Sequence, residues 1–125
     1  GALPQASAPL HLGFTFSFPV DQKALNQGTL IRWTKGFNAA GVEGADVVAL
    51  LQSALKAKEV HVRVDALAND TVGTLMAIAT RQPKAAIGVI LGTGTNACYV
   101  EEMSRIVKWK GGEVSSQQMC INMEW

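Results

Sequence analysis

Four short polar segments stand where predicted strands end, and each carries side chains that could bind or activate a ligand. They are Ser17 ahead of Phe18-Pro19, Trp33-Thr34-Lys35-Gly36, Asn69-Asp70-Thr71 and Asn122-Met123-Glu124-Trp125. Amides, hydroxyls and carboxylates form directional hydrogen bonds, and a carboxylate can also accept a proton from a reacting group. Because α/β folds place ligand sites at the ends of strands, these segments are the candidates for a functional site.

Each segment also has an ordinary structural explanation. Ser17 alone is a common strand residue, and Lys35 alone is a common surface lysine. Asp70 suits the start of a helix, where a carboxylate is electrostatically favoured and can act as an N-cap. Glu124 taken alone points to no role. Residue type by itself therefore leaves both a binding site and plain structure open.

A glycine-rich loop offers a second kind of chemistry. The loop Gly92-Thr93-Gly94-Thr95-Asn96-Ala97 follows a predicted strand and satisfies G-x-G-x-x-[GA]. Glu113 follows this loop at roughly the sequence distance where an acid that binds ribose would be expected. That dinucleotide pattern needs a helix after the loop, whereas Cys98-Tyr99-Val100 favours a strand. Two interpretations stay open: a phosphate contact through backbone N–H groups and the hydroxyls of Thr93 and Thr95, or a simple β-turn.

Strand-like and helix-like periodicities are interleaved along the chain, which predicts an α/β fold. Helices are expected to begin after Asp46, as an N-cap, and near Asp70. The continuously apolar run 86–91 is typical of a strand buried on both faces. Residues 1–9 are expected to be a flexible leader, and the change in composition near 81–85 predicts a subdomain junction. Strands are predicted at 12–18, 29–33, 61–68, 86–91, 98–101 and 119–125.

Composition excludes several classes of function. The chain has 125 residues, 48% of them apolar and 17% charged, and a formal net charge of +1. Its Lys and Arg residues are scattered, so we expect no nucleic-acid partner. No apolar run approaches the length of a membrane span. The cysteines and histidines lack metal-ligand spacing, so we expect no metal site. No secretory signal is seen, so we expect reduced thiols and a cytoplasmic location.

Taken together, five segments resemble the hexokinase/glucokinase family in their order and spacing. The resemblance extends over residues 10–125 and implies the actin-like ATPase (ribonuclease H-like) fold, here in part. Residues 10–80 would form most of the small lobe, and residues 81–125 would begin the large lobe with the second phosphate motif. The segments are L-G-F-T-F-S-F-P (12–19), W-T-K-G-F (33–37), N-D-T-V-G-T (69–74), G-T-G-T-N-A-C-Y (92–99) and N-M-E-W (122–125).

The resemblance implies ATP-dependent phosphorylation of a hexose, such as glucose, at its 6-hydroxyl, the first step of glycolysis. Asp70 would be the catalytic base, and Lys35 would offset negative charge near the transferred group. Gly92, Thr93 and Gly94 would contact the ATP phosphates, with Mg²⁺ bridging those phosphates. The implied sugar contacts are Ser17, Thr34, Lys35, Asn69, Asp70, Asn96 and Glu124.

The chain also departs from the family pattern. It contains no D-x-G-G-T phosphate motif, and the family's adenosine-binding segment and a further sugar-binding glutamate are not found. We therefore expect a partial chain that needs the remainder of the hexokinase to complete the cleft, and negligible sugar turnover by the isolated chain. Two alternatives are a non-catalytic, glucose-binding regulatory protein and a small nucleotide-binding module. The latter requires a helix after Asn96.

Overall fold

The computed structural model describes residues 8–112 and 115–124, which form two compact units. The first unit ends at Ala68 and the second begins at Asn69. This division precedes the lobe boundary expected near residue 80, which stays a prediction, and most of the expected leader lies outside the described residues. The first unit contains β1 (Leu10–Thr15), β2 (Val20–Ala24), β3 (Gln27–Leu30), α1 (Val47–Ala57) and β4 (Val62–Ala68); the second contains α2 (Asp70–Ala79), β5 (Ile87–Leu91), β6 (Thr95–Glu102), a 3-10 turn (Met103–Arg105) and β7 (Gln118–Asn122).

In the first unit, β1 pairs with β4 in parallel, and the register of the pair shifts in the middle. Leu12 pairs with Val64 but Gly13 pairs with Ala66, so Asp65 is left as a bulge. The buried positions of β4 therefore shift from Val64 to Leu67. The sequence pattern had placed alternate residues from 62 to 68 on one face, and that prediction is wrong because the bulge changes the alternation.

The bulged carboxylate of Asp65 contacts Arg63 on β4 and His11 on β1. Arg63 Nε donates to Asp65 Oδ1 at 2.6 Å, and His11 Nδ1 contacts the other carboxylate oxygen. The hydrogen bond from Arg63 is the main reason that the pKa of Asp65 lies below its ordinary value, and the one from His11 adds to it. Solvent and these two partners satisfy the carboxylate, so the bulge costs no buried charge.

The core of the first unit lies between α1 and the paired strands. Asp46 is the N-cap of α1, as predicted, because its side chain accepts hydrogen bonds from the backbone N–H groups of Val48 and Ala49. Gln52 then bonds the free edge of β4, donating to Val62 O at 2.8 Å and accepting from Val64 N at 2.9 Å. The fully or nearly fully buried apolar residues are Leu30, Val47, Val48, Val64 and Leu67.

The β2–β3 hairpin was only half predicted. The strand expected over 29–33 begins at Gln27 and ends at Leu30, and its partner β2 carries too few apolar residues to show a strand pattern. The hairpin is placed by close approach instead: a Cβ at Gly28 would lie 2.6 Å from Leu67 Cδ2. Gln22 Nε2 also donates to Leu67 O at 2.9 Å. Pairing and packing therefore define this hairpin.

In the second unit, α2 packs against one face of an antiparallel sheet with the strand order β5-β6-β7. The contact is closest at Gly88, where a Cβ would lie 2.6 Å from Thr71 O and 3.0 Å from Leu75 Cβ. Thr71, Leu75 and Cys98 are fully buried here. A glycine on β5 thus lets the first turns of α2 lie directly on the sheet.

The strand expected over 86–91 is confirmed, but its expected burial on both faces is wrong. Ile87, Val89 and Leu91 are 65%, 45% and 82% exposed. These alternate residues point away from α2, and no element in the described part of the chain covers their face. Strand β7 ends at Asn122, short of the expected end at residue 125.

No helix in the described part of the chain is long and apolar enough to cross a membrane.

The N-cap of α1 provides a test of the local structure. Asp46→Ala removes the acceptor for two backbone N–H groups, so we expect it to lower the free energy of unfolding by about 1 kcal/mol in urea. Asp21→Ala on the exposed strand β2 is the control and should change stability by less than about 0.5 kcal/mol. Equal stability of the two variants would show that the cap contributes nothing.

The second unit also contains two free thiols, Cys98 and Cys120. Burial, with a smaller effect from the Cys98 thiol, raises the pKa of Cys120 to about 12. The raised pKa keeps Cys120 protonated at pH 8, so alkylation by iodoacetamide should be at least about a hundredfold slower than at an exposed cysteine. The thiol introduced by Ser104→Cys gives the exposed comparison in the same molecule, and similar rates by mass spectrometry would contradict the assignment.

Candidate functional site

The candidate residues fall into two groups, one in each unit. Ser17, Thr34 and Lys35 belong to the first unit. Asn69, Asp70, Asn96 and Glu124 belong to the second unit, as does the loop that contains Gly92, Thr93 and Gly94. The geometry within each unit shows which of these side chains are held together.

In the first unit, residues 34–37 form a tight turn. Phe37 N donates to Thr34 O at 3.1 Å. Lys35 and Gly36 at the centre of the turn have φ values of 58° and 77°, the left-handed region that both central positions of a type I′ turn require. A lysine in this region costs of order 1 kcal/mol, and such strain is concentrated at functional sites. The backbone thus supports a special role for Lys35.

The side chain of Lys35 turns back onto Ser17. Its Nζ donates to Ser17 O at 2.8 Å and lies 5.2 Å from the centre of the Phe18 ring. Trp33 contacts the same ring edge-on, with 4.8 Å between centroids, and Trp33 Nε1 donates to Ala39 O at 2.9 Å. Ser17 and Lys35 are therefore held together by a hydrogen bond and an aromatic surface, with Thr34 at the start of the turn.

In the second unit, the start of α2 is fixed by Asn69. The Oδ1 of Asn69 accepts from Thr71 N at 2.9 Å and from the Thr71 hydroxyl at 2.6 Å. Asp70 is the first residue of the helix and is half-buried, and one of its carboxylate oxygens lies 3.0 Å from Thr71 N. The N-cap role that could have explained Asp70 belongs to Asn69.

Asn96 on β6 connects Asn69 with the segment that follows β7. Its Nδ2 donates to Asn122 Oδ1 at 2.7 Å and lies 3.5 Å from Asn69 Oδ1. Its Oδ1 accepts from Glu124 N at 3.0 Å, and Glu124 has a left-handed φ of 56°. Three predicted sugar contacts, Asn69, Asn96 and Glu124, thus belong to one hydrogen-bonded group.

Asn122 was not predicted as a site residue, although it lies in a segment that the sequence singled out. It is the last residue of β7, and its Nδ2 donates to Glu124 Oε1 at 2.5 Å. A strand residue two positions before a candidate carries no special pattern of its own. Only the pairing of β6 with β7 brings Asn122 to Asn96.

The glycine-rich loop is the turn of the β5–β6 hairpin. Gly92 N donates to Gly94 O at 3.2 Å, and Thr95, the first residue of β6, pairs with Leu91. Because a strand rather than a helix follows Asn96, the dinucleotide pattern and the nucleotide-binding module are both eliminated. Glu113 lies outside the described residues. A contact between this turn and ATP phosphates stays a prediction.

Comparison with protein-family models identifies the family of this chain. One family model, described as hexokinase, matches residues 2–80. A second model with the same description matches residues 86–125. The chain belongs to the hexokinase family.

Individual hexokinases match almost the whole chain. Hexokinase-1 of Spinacia oleracea is 54% identical over 125 residues, which is 100% of this chain and 25% of that protein. Hexokinase-3 of Mus musculus is 53% identical over 117 residues, covering 93% of this chain and 12% of that protein. The chain thus spans about a quarter or less of the length of these hexokinases.

A solved structure supports the fold. The hexokinase from Schistosoma mansoni complexed with glucose superposes with a TM-score of 0.82 and 52% identity, over 92% of this chain and 26% of that chain. The expected α/β class and the actin-like ATPase fold of the hexokinases, present in part, are therefore confirmed.

The close approach at Gly88 tests how the start of α2 is positioned in this hexokinase chain. Gly88→Ala would place a Cβ 2.6 Å from Thr71 O, so we expect a loss of about 1–3 kcal/mol in the free energy of unfolding. Gly13→Ala is the control, because a Cβ there meets nothing within 4 Å. A Gly88→Ala variant as stable as the Gly13→Ala variant would contradict the packing described.

Proposed function

We propose that the whole protein carrying this chain transfers the γ-phosphoryl group of ATP to the 6-hydroxyl of a hexose such as glucose. The observation that carries the proposal is the hydrogen-bonded group of Asn69, Asn96 and Glu124 beside Asp70. Its members are amides and a carboxylate, groups that can form directional hydrogen bonds with sugar hydroxyls. The solved relative with 52% identity was obtained in complex with glucose, which supports glucose as the first substrate to test.

The proposed sugar contacts follow from the hydrogen-bonding capacity of each group. A carboxylate such as Glu124 accepts from hydroxyls, and an amide NH₂ such as that of Asn69 donates to a hydroxyl oxygen. Such mixed, directional contacts distinguish one sugar hydroxyl arrangement from another. Ser17, Thr34 and Lys35 of the first unit are assigned to the hexose on the family resemblance. The strained backbone of Lys35 supports that assignment.

In the proposed reaction Asp70 is the general base. Its carboxylate accepts the proton of the sugar 6-hydroxyl while that oxygen forms a bond to the γ-phosphorus. The bond from the γ-phosphorus to the oxygen of the β-phosphate breaks, and ADP leaves with that oxygen. Phosphoryl transfer depends mainly on positioning and on charge stabilisation, so Lys35 is assigned to offset the negative charge.

Gly92, Thr93 and Gly94 are assigned to the ATP phosphates through backbone N–H groups and the Thr93 hydroxyl. Mg²⁺ bound to ATP would neutralise part of the phosphate charge. Among residues 8–112 and 115–124, no group of three or more His, Cys, Asp or Glu side chains could hold a metal ion. We assign Mg²⁺ to the phosphates of the bound nucleotide.

Asp70→Asn in the whole protein tests the catalytic assignment. The substitution keeps a side-chain oxygen for Thr71 N but removes the base, so kcat should fall by about 10²–10⁴-fold while the KM for glucose changes little. Asp21→Asn, on exposed β2, is the matched control and should retain wild-type kinetics. The measurement is glucose 6-phosphate formation in a coupled assay.

Two outcomes would contradict the proposal in different ways. An unchanged kcat with a large rise in the KM for glucose would make Asp70 a binding residue rather than the base. Glucose binding by the wild-type protein without any ATP-dependent product would favour the non-catalytic, regulatory alternative.

A further inference from the structure

We propose that Asn122 is a positioning residue that holds Glu124 and Asn96 in place and carries the hydrogen-bonding order imposed by the Glu124 carboxylate to Asn96 in the second unit. The inference rests on the proposed sugar roles of Asn96 and Glu124. Asn122 lies between these two side chains and hydrogen-bonds both. It accepts from Asn96 Nδ2 at 2.7 Å and donates to Glu124 Oε1 at 2.5 Å.

The direction of these bonds follows from the chemistry of Glu124. An ionised carboxylate only accepts hydrogen bonds, so Asn122 must present its NH₂ group to Glu124. The carbonyl oxygen of Asn122 then faces Asn96, which must present its own NH₂ group. The Oδ1 of Asn96 is thereby directed to the backbone N–H groups of Ala97 and Glu124, at 2.9 and 3.0 Å.

The same order extends to Asn69. Its Oδ1 accepts from the backbone N–H and the hydroxyl of Thr71, and it faces Asn96 Nδ2 at 3.5 Å. Because Oδ1 is occupied by donors, Asn69 offers its NH₂ group to a ligand. Asn69 thus donates and Glu124 accepts toward the sugar. Asn122 joins these residues: it holds Glu124 Oε1 and orients Asn96, whose Oδ1 supports the left-handed backbone of Glu124.

This role differs from plain packing in β7. If Asn122 only packed within β7, the effect of Asn122→Asp on glucose affinity would be the same whichever side chain stands at position 124. If Asn122 orders the hydrogen bonds of the group, that effect depends on which atoms of residue 124 it faces. The difference can be measured as coupling between the two positions.

Asn122→Asp in the whole protein is the central variant. It keeps an oxygen that accepts from Asn96 but replaces the donor to Glu124 by a negatively charged oxygen. We expect the dissociation constant for glucose, measured by calorimetry without ATP, to rise by about tenfold or more, because a hydrogen bond to a charged group is lost. Gln118→Glu makes the same change of charge at the exposed first residue of β7 and should leave glucose affinity unchanged.

Asn122→Asp combined with Glu124→Gln separates this role from a structural one, because a purely structural role predicts the same loss of glucose affinity with either side chain at position 124. In a Glu124→Gln background, the amide NH₂ of residue 124 can donate to the carboxylate introduced by Asn122→Asp, so the pair bonds with reversed polarity. We expect Asn122→Asp to weaken glucose binding by no more than about threefold there, against about tenfold in the wild-type background. Equal losses in both backgrounds would overturn the proposal.

The outcomes separate this inference from the proposed function. Glucose binding with the expected coupling, but no phosphorylated product, would support the role of Asn122 and contradict the kinase assignment. Product formation with wild-type glucose affinity in the Asn122→Asp variant would overturn the inference alone.

If Asn122→Asp does not fold, as judged by circular dichroism, Asn122→Ala is used with and without Glu124→Gln. We then expect a smaller loss of affinity in the Glu124→Gln background, and equal losses would contradict the proposal. A wild-type protein that does not bind glucose would overturn both.

Discussion

The arrangement of the second unit depends on the way the first turn of α2 is fixed. Thr71 is fully buried, and both its backbone N–H and its hydroxyl donate to Asn69 Oδ1. Gly88 allows this turn to lie directly on β5, with no space for even one methyl group. Since Asp70 follows Asn69 in the same turn, the position of the proposed base is determined by a cap, a buried threonine and a glycine. Of these three, only Asn69 is also assigned to the sugar.

The first unit uses a comparable device at Lys35. A backbone conformation that is unfavourable for lysine is held by the turn bond from Phe37 to Thr34 and by the contact of the ammonium group with Ser17 O. The ammonium group also lies 5.2 Å from the centre of the Phe18 ring. In both units, then, the candidate side chains are attached to strained or closely packed backbone. This restricts their motion before a ligand binds, so less conformational entropy is lost on binding.

Sequence patterns predicted the elements that have a strong local signal. Alternating apolar residues indicated β1 and β4, and Asp46 ahead of an apolar helical face indicated α1. Strand β2 could not be found in this way, because its position is set by pairing with β3 and by the space at Gly28. The bulge at Asp65 was equally invisible, since it depends on the register of a strand about fifty residues away in sequence. The apolar β5 showed a strand but not which of its faces is covered.

The candidate site was likewise predicted only in part from the sequence. The order and spacing of the polar segments were enough to indicate the family, and matches to hexokinases confirm it. Asn122 could not be recognised, because its contribution comes from contacts with Asn96 and Glu124 across and beyond β7. The direction of the hydrogen bonds among these amides follows from Glu124, whose carboxylate can only accept. The contacts that connect Glu124 with the amides form only when the chain is folded.

A crystal structure of the whole protein with glucose tests the site most directly. We expect the Asp70 carboxylate to lie within about 2.6–3.2 Å of the sugar 6-hydroxyl oxygen, the distance required of a general base. We also expect the Asn69 NH₂ group to donate to a sugar oxygen and Glu124 to accept from a sugar hydroxyl. A glucose molecule bound with its 6-hydroxyl remote from Asp70, or bound without contact to Asn69 and Glu124, would contradict the proposed site.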